Sequence, residues 1–166
     1  MHEGESPPNA NQIIDLALLY ARLDRTENAL ATIRRVPVGK LTSFGRFLVE
    51  SVLYRCALAQ GNATEAATRF AYLSDHRDDA PTVYDLVLLE AGREDEAASL
   101  LISRLDNPWR RSGALMSVQQ FRPGAETPHD ARLRQRWRSI VTRSDVQGAI
   151  AQVGRAGIWD IPFEGG

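Results

Sequence analysis

Few side chains in this sequence could carry chemistry, and the first group of them surrounds His76. This residue lies in the run Asp75-His76-Arg77-Asp78-Asp79, where an imidazole and three carboxylates could together hold a metal ion. Neither of the other two histidines, His2 and His129, stands at ligand spacing from it. We therefore favour a solvated loop between two helices and predict no metal site.

The acidic run Glu94-Asp95-Glu96 could pair two carboxylates for acid–base catalysis. Adjacent residues on a helix point apart, however, and carboxylates in a first helical turn are stabilised by the helix dipole. Cys56, the one cysteine, is flanked by apolar residues and is expected to be a buried structural thiol. Because the sequence also has no glycine-rich phosphate loop, nucleophile elbow or His-Glu metal motif, we predict no enzyme activity and no cofactor.

The most distinctive chemical feature is an arginine-rich helix predicted over residues 129–143. Its apolar stripe is Leu133, Trp137, Ile140 and Val141, with Arg132, Arg136 and Arg143 along one side and Arg134 and Arg138 along the other. Such a surface could contact nucleic-acid phosphates or another acidic ligand. Alternatively, the arginine stems cover the buried edge of a solvated helix, or their charge neutralises the acidic N-terminal half. No aromatic series for base stacking accompanies them, so nucleic acid is the less favoured partner.

Composition and charge exclude several classes of protein. The chain has 166 residues, of which 43% are hydrophobic and 25% charged, so it is a globular domain or a short repeat array. The formal net charge of −1 provides no global attraction to nucleic acid or membranes. The apolar run 16–20 is too short to cross a bilayer, and segment 1–9 lacks a signal-peptide pattern, which favours a cytoplasmic location. Of the 20 basic residues, 19 are arginine, a bias that the codon usage of a high-GC bacterial genome also produces.

Helical periodicity dominates the chain from residue 11 to residue 154, and no stretch shows the sustained alternation typical of a strand. We predict an all-α fold with helices over 10–23, 25–36, 43–60, 63–74, 81–91, 93–105, 108–120, 129–143 and 145–154. The predicted organisation is a flexible segment 1–9, a repeat region 10–106, a C-terminal helical extension 107–154 and an apolar tail 155–166.

Three segments of the repeat region, residues 16–29, 53–66 and 84–97, align without gaps. In each of them an apolar helix ends at a residue that tolerates a left-handed conformation, and a polar, acidic stretch opens the next helix. A small residue follows where the two helices of a hairpin would approach most closely. The aligned turn residues are Asp24, Gly61 and Gly92, and the aligned small residues are Ala29, Ala66 and Ala97. We predict positive φ at both glycines and burial of the alanines.

At these positions the region resembles the tetratricopeptide repeat family. The residues that match the family's pattern best are Leu16, Ala17, Tyr20, Ala29 and Ile33. The second and third segments depart from it at Tyr54 and Asp85, where the family has a small residue. The resemblance implies a solenoid of about three α-hairpins, followed here by additional C-terminal helices. It also implies a non-catalytic role as an adaptor, a scaffold or the terminal repeat region of a larger protein.

The resemblance places a protein or peptide partner along the inner face of the hairpins. The basic and asparagine pattern with which the family clamps a peptide carboxylate is missing, so we expect an apolar groove for a partner helix or extended segment. The same residues could instead pack against the later helices of the chain itself. The predicted partner-binding residues are Leu18, Ala21, Arg22, Arg55, Leu58, Leu86 and Leu89, together with Arg132 and Arg136 of the arginine-rich helix.

The first helix and the tail carry more apolar residues than a solvent-exposed surface usually has. Helix 10–23 is apolar almost all round, so its outer face should be covered by a second copy of the chain, by preceding repeats of a longer protein, or by the tail. A homodimer through this helix is therefore a candidate assembly. Trp159, Ile161 and Phe163 are expected to dock onto the helical body or onto a neighbouring chain.

Overall fold

The computed structural model describes residues 9–37, 39, 41–122, 124 and 126–162. Over these residues the protein is mostly helical, as the predicted all-α class requires. The chain divides into two compact units, which we call unit 1 (Met1–Val87) and unit 2 (Leu88–Gly166). This division falls inside the range 10–106 that the sequence predicts as one repeat region.

Unit 1 is built from α1 (Ala10–Arg22), α2 (Thr26–Ile33), α3 (Ser43–Ala59), α4 (Ala63–Asp75) and the first part of α5 (Pro81–Glu90). α1 packs against α2, α3 packs against α4, and α3 also contacts both helices of the first pair. Polar side chains fix where three of these helices begin. Asn9, Thr42 and Asn62 each accept a hydrogen bond from a backbone N–H of the following turn.

The core of unit 1 joins α1, α2 and α3. Its buried residues are Ile13, Ile14, Ala17, Ala21, Ala29, Ile33, Val36, Val49, Val52 and Cys56. The carboxylate of Glu50 on α3 is also buried: it accepts a hydrogen bond from Arg69 Nη1 at 2.6 Å, and Arg69 Nε donates to Glu65 at 2.8 Å. Because a buried carboxylate without a partner would be costly, this ion pair both permits the burial of Glu50 and ties α3 to α4.

The three predicted turns share one hydrogen-bond pattern. The second residue after each helix has positive φ, which is 57° at Asp24, 68° at Gly61 and 68° at Gly92. Its N–H donates to the carbonyl three residues back, and the following N–H donates to the carbonyl five residues back. This is the Schellman arrangement, which satisfies carbonyls that a helix end would otherwise leave unpaired. The prediction of positive φ at both glycines is confirmed.

The aligned small residues are buried, as predicted. Ala29 and Ala97 have no exposed surface, and Ala66 is 6% exposed. One turn further along, Ile33 and Leu101 are buried as well. Phe70, the corresponding residue of the second segment, is half buried, so the first and third segments bury both the small and the large side chain and the second buries only the small one.

Unit 2 is organised around α6 (Glu94–Asp106), which contacts α7 (Arg111–Ser117), α8 (Pro128–Val141) and α9 (Ser144–Val153). α8 begins with a capping box, in which the side chains of Thr127 and Asp130 accept hydrogen bonds from each other's backbone N–H. Three residues of the predicted apolar stripe of α8, Leu133, Ile140 and Val141, are buried, and Trp137 is half buried. The buried residues of the four helices include Ala97, Leu101, Leu105, Ala114, Leu133, Ile140, Val141, Val146 and Ile150.

The helix predicted over 108–120 is shorter at both ends, and two short strands follow that the helical pattern did not indicate. Residues 108–110 form a turn, because the Asn107 side-chain carbonyl accepts the Trp109 N–H at 2.9 Å and the helix starts only afterwards. After α7 the chain extends into β1 (Gln120–Arg122). The tail forms β2 (Ile158–Pro162), which pairs with β1 in parallel, with Phe121 opposite Trp159.

The apolar tail therefore docks as a strand within unit 2. Trp159 nevertheless remains 46% exposed and Ile158 is 84% exposed, so the pairing does not bury these side chains fully. Phe163, the third aromatic or aliphatic anchor predicted for the tail, lies outside the described residues, as does most of segment 1–9.

Candidate interaction surfaces

The first candidate surface is a row of leucines on α1. Leu16, Leu19 and Leu23 are 41%, 45% and 44% exposed, and their spacing of three and four residues places them on one side of the helix. The opposite side of α1 faces the core of unit 1. We call these three residues the leucine row; they are the outer face that the sequence predicts to need a cover.

Two of the predicted partner-binding residues cannot line a surface. Ala21 is 5% exposed in the core of unit 1, and Leu89 is fully buried in unit 2, so both predictions were wrong. Leu18 is half buried and packs against the core cluster of unit 1. Because α1 is apolar on nearly every side, its sequence does not reveal which apolar residues face inward.

The other predicted residues of unit 1 are accessible to different degrees. Leu58 is 42% exposed and Leu86 is 41% exposed. Arg22 is exposed and Arg55 is half buried. Leu58, Leu86 and Arg22 are therefore on the surface, as predicted partner contacts must be, whereas Arg55 is partly withdrawn from solvent.

Two of the four arginines of α8, Arg134 and Arg136, are engaged within unit 2, and so is Arg143, which lies two residues after its end. Arg134 binds Glu126 through two nitrogens, of which Nε donates to Oε2 at 2.9 Å. Arg143 binds Asp95 at 2.5 Å and Asp145 at 2.9 Å. Within the described ranges, the exposed residue Arg132 makes neither an ion pair nor a hydrogen bond.

Arg136, the other arginine of α8 predicted to bind a partner, is also exposed, but its side chain hydrogen-bonds to a backbone carbonyl. Its Nη1 donates to the Leu89 carbonyl oxygen at 2.5 Å and lies 3.8 Å from the Glu94 carboxylate. The carbonyl belongs to the last turn of α5, where a cation is stabilised by the helix dipole. The side chain therefore helps to close a helix end, in addition to presenting charge to solvent.

The ion pairs with Arg134 and Arg143 lower the pKa values of two carboxylates, Glu126 and Asp145. The hydrogen bonds from Arg134 hold the pKa of Glu126 below its usual value. The guanidinium of Arg143 similarly lowers the pKa of Asp145. In unit 1, burial raises the pKa of the Cys56 thiol, so the thiolate is disfavoured and the side chain suits the structural role predicted for it.

Two of the histidines considered as weak chemical candidates, His76 and His129, have structural partners. His76 Nδ1 lies 2.9 Å from the Tyr72 carbonyl oxygen, and its ring stacks on that of Tyr72 with 4.0 Å between centroids. His129 Nε2 lies 3.2 Å from Glu90 Oε1. Over the residues whose placement is described, no group of three or more His, Cys, Asp or Glu side chains could hold a metal ion.

The second candidate surface is an apolar cavity in unit 2, which the sequence did not predict. Its volume is about 590 Å³, and it lies between one face of α7 and one face of the β1–β2 pair. Met116 of α7 and Trp159 of β2, which line it, are 57% and 46% exposed. The one sequence signal for this site was the apolar tail without a helix pattern.

Comparison with protein-family models, with curated proteins and with solved structures finds no match to this chain. Across the part of the chain that is described, no helix combines the length and apolar character needed to cross a membrane. We therefore infer the binding partners of the two surfaces from the residues that form them.

Proposed function

We propose that the chain is a non-catalytic protein–protein interaction module, built from α-hairpins that resemble tetratricopeptide repeats, with α1 as its main interaction surface. The observation that carries this proposal is the leucine row. Three large apolar side chains on one helix face, each more than 40% exposed, form a contiguous apolar stripe of the kind that marks a contact site. An amphipathic helix of a partner would pack against such a stripe.

The geometry of the turns and of unit 1 supports the hairpin part of the proposal. The same Schellman turn recurs at Asp24, Gly61 and Gly92, and the aligned alanines that follow are buried. α3 contacts both α1 and α2, which is the arrangement expected when one hairpin stacks on the next. In such a stack α1 belongs to the first hairpin that the structure describes, and the described residues place no further hairpin against its outer face.

The leucine row by itself contributes too little apolar area to hold a stable complex. Full burial of a leucine contributes about 1.5–3 kcal/mol, so completing the burial of three half-buried leucines would add roughly 3 kcal/mol. Association of two proteins costs at least about 4 kcal/mol in lost translational and rotational freedom. The interface must therefore include more surface, and the neighbouring half-buried Tyr20 is the first candidate.

A second copy of the chain is the occupant to test first, because two α1 faces would meet in a self-complementary two-fold contact. Sedimentation velocity over a range of protein concentrations is expected to show a dimer. Leu16→Glu and Leu19→Glu should each dissociate it, since the contact would then bury an unpaired carboxylate. Ala67→Glu, which places the same charge on an exposed position of α4, serves as the matched control.

Two outcomes would contradict the dimer. The first is a parent chain that stays monomeric at every concentration, which would leave a preceding hairpin of a longer protein as the cover of α1. The second is dissociation by Ala67→Glu to the same extent, which would mean that net charge rather than the leucine row controls assembly.

Nucleic-acid or acidic-ligand binding through α8 is the competing proposal, and the ion pairs of unit 2 make it the weaker one. Arg134 and Arg143 are neutralised by carboxylates of the same unit, and Arg136 binds a helix end. The exposed Arg132 and Arg138 are six positions apart, which places them about 120° from each other around the helix. Binding of duplex or single-stranded DNA that weakens steeply with salt would favour this alternative.

A further inference from the structure

The cavity of unit 2 has the construction of a small-molecule site. One side is a helix face, on which Leu115 and Met116 of α7 project. The other is the strand pair, in which Phe121 of β1 stands opposite Trp159 of β2 in the parallel register, and both residues line the cavity. We propose that this cavity binds a small organic anion with an apolar body, of the class of medium-chain carboxylates.

The aromatic wall of the cavity is held in place by the amide of Gln119. Gln119 Oε1 accepts hydrogen bonds from Gly157 N at 2.9 Å and from Trp159 Nε1 at 3.0 Å. Gln119 Nε2 donates to the carbonyl oxygens of Leu115 at 2.8 Å and of Arg155 at 3.0 Å. The Gln119 amide thus makes four hydrogen bonds, two as donor and two as acceptor. Together they connect α7, the segment before β2 and the indole of Trp159. The site is preorganised, which lowers the entropy cost of binding.

Gly157 provides the space that this arrangement needs. A Cβ atom at this position would lie 3.1 Å from Trp159 Nε1 and 3.3 Å from Gln119 Oε1. Both atoms belong to the hydrogen bond that fixes the indole, so a side chain at residue 157 would push the two groups apart. The glycine is therefore part of the site rather than an incidental loop residue.

The charge of the occupant follows from the one charged residue in the lining, Arg155. This side chain is exposed, and among the residues that the structure describes it makes no ion pair. The wider segment 107–166 holds nine basic and five acidic residues, so the field around the cavity also favours an anion. A guanidinium binds a carboxylate through two parallel hydrogen bonds, which selects an anionic end group for the ligand.

The size and polarity of the cavity select the rest of the ligand. A volume of about 590 Å³ lies within the range of small-molecule sites. Apart from Arg155, polar side chains in the lining are limited to Ser112 and Gln119, and the Gln119 amide is already engaged in four hydrogen bonds. The ligand body should therefore be apolar, since a polar body would lose water contacts that the wall cannot replace.

The test is titration of the full chain with sodium decanoate, followed by the NMR signal of the Trp159 indole N–H and by calorimetry. Saturable binding is expected, with the indole signal shifting as the ligand binds. Arg155→Gln should weaken decanoate binding about tenfold, the effect of losing a charge-assisted hydrogen bond. Arg132→Gln removes an equally exposed arginine of unit 2 that is not in the lining, and it should leave binding unchanged.

Decylammonium is the matched ligand, with the same chain and the opposite charge, and it should bind at least tenfold more weakly than decanoate. Equal binding of the two ligands, or equal loss in both arginine variants, would overturn the proposal. An indole signal that depends on protein concentration without ligand would assign the cavity to a second copy of the chain. Binding by a chain ending at Pro162 but not by the full chain would assign it to the last residues. Either result also overturns the proposal.

Discussion

Unit 1 and unit 2 both leave apolar side chains in contact with water, but in opposite geometries. In unit 1 three of them form a row on the outside of one helix, where only a large partner surface can cover them. In unit 2 two of them, Met116 and Trp159, line a cavity between α7 and a strand pair, which a small molecule can fill. The convex row of unit 1 suits a second protein surface, whereas the concave cavity of unit 2 suits a small molecule. The shape of each exposed apolar surface thus indicates the class of partner that could cover it.

The largest expected effect comes from overfilling the position at which both units bury an aligned alanine. Ala97→Leu should lower the free energy of unfolding by roughly 1–3 kcal/mol, and Ala66→Leu should cost somewhat less because this position is slightly exposed. Urea unfolding followed by circular dichroism measures both. The controls are Ala67→Leu and Ala151→Leu, which are exposed helix positions and should change stability by less than about 0.5 kcal/mol. If Ala97→Leu were as harmless as Ala151→Leu, the close helix approach inferred at Ala97 would be wrong.

The turns should respond alike in the two units. Neither Gly61 nor Gly92 has an atom within 4 Å of the place a Cβ would occupy, so alanine there meets no steric obstacle. The cost of Gly61→Ala and of Gly92→Ala is therefore that of the positive φ alone, about 1 kcal/mol each. Asp24→Gly, the reverse change at the third turn, should stabilise the protein by up to about 1 kcal/mol. Thermal melts in which either alanine variant matches the parent would contradict this account.

The smallest effect concerns acid stability and is confined to unit 2. The carboxyl of Glu126 has a lowered pKa in the folded chain because Arg134 donates hydrogen bonds to it. Its contribution to stability is thus complete above the pKa of an unfolded glutamate, about 4.3, and is lost as the pH falls through the lower folded value. Carbon-detected NMR titration should show this midpoint below the usual range, and Arg134→Gln should raise it. Arg132→Gln should leave it in place.

Much of the helical framework could be predicted because its signals are local. The capping residue Thr127 with Asp130 three positions on, and the glycines at the ends of α3 and α5, lie next to the boundaries they determine. The buried alanines could be found because the three aligned segments place them at the same distance from a turn. In each case the residue and its structural effect are separated by a few positions.

The strand pair and the cavity could not be predicted because they depend on residues far apart in the sequence. β1 is three residues long, too short for an alternating pattern to be recognised, and its partner lies far along the chain. The cavity requires Gln119, Arg155 and Trp159 to meet, and no spacing rule connects them. The assignment of Ala21 to the surface failed because a helix that is apolar all round gives no signal for its inward side.

The Gln119 amide bonds to Gly157 across 38 residues of sequence, and the chain between them includes both α8 and α9. Pairing the strands must close this long loop, and since the entropy cost of closure rises with loop length, we expect the pair, with its high contact order, to form late in folding. The same pair should be among the first parts of unit 2 to open, through a partial unfolding that leaves the helices intact. Hydrogen exchange at the Gln120 amide would then report the lifetime of the cavity itself.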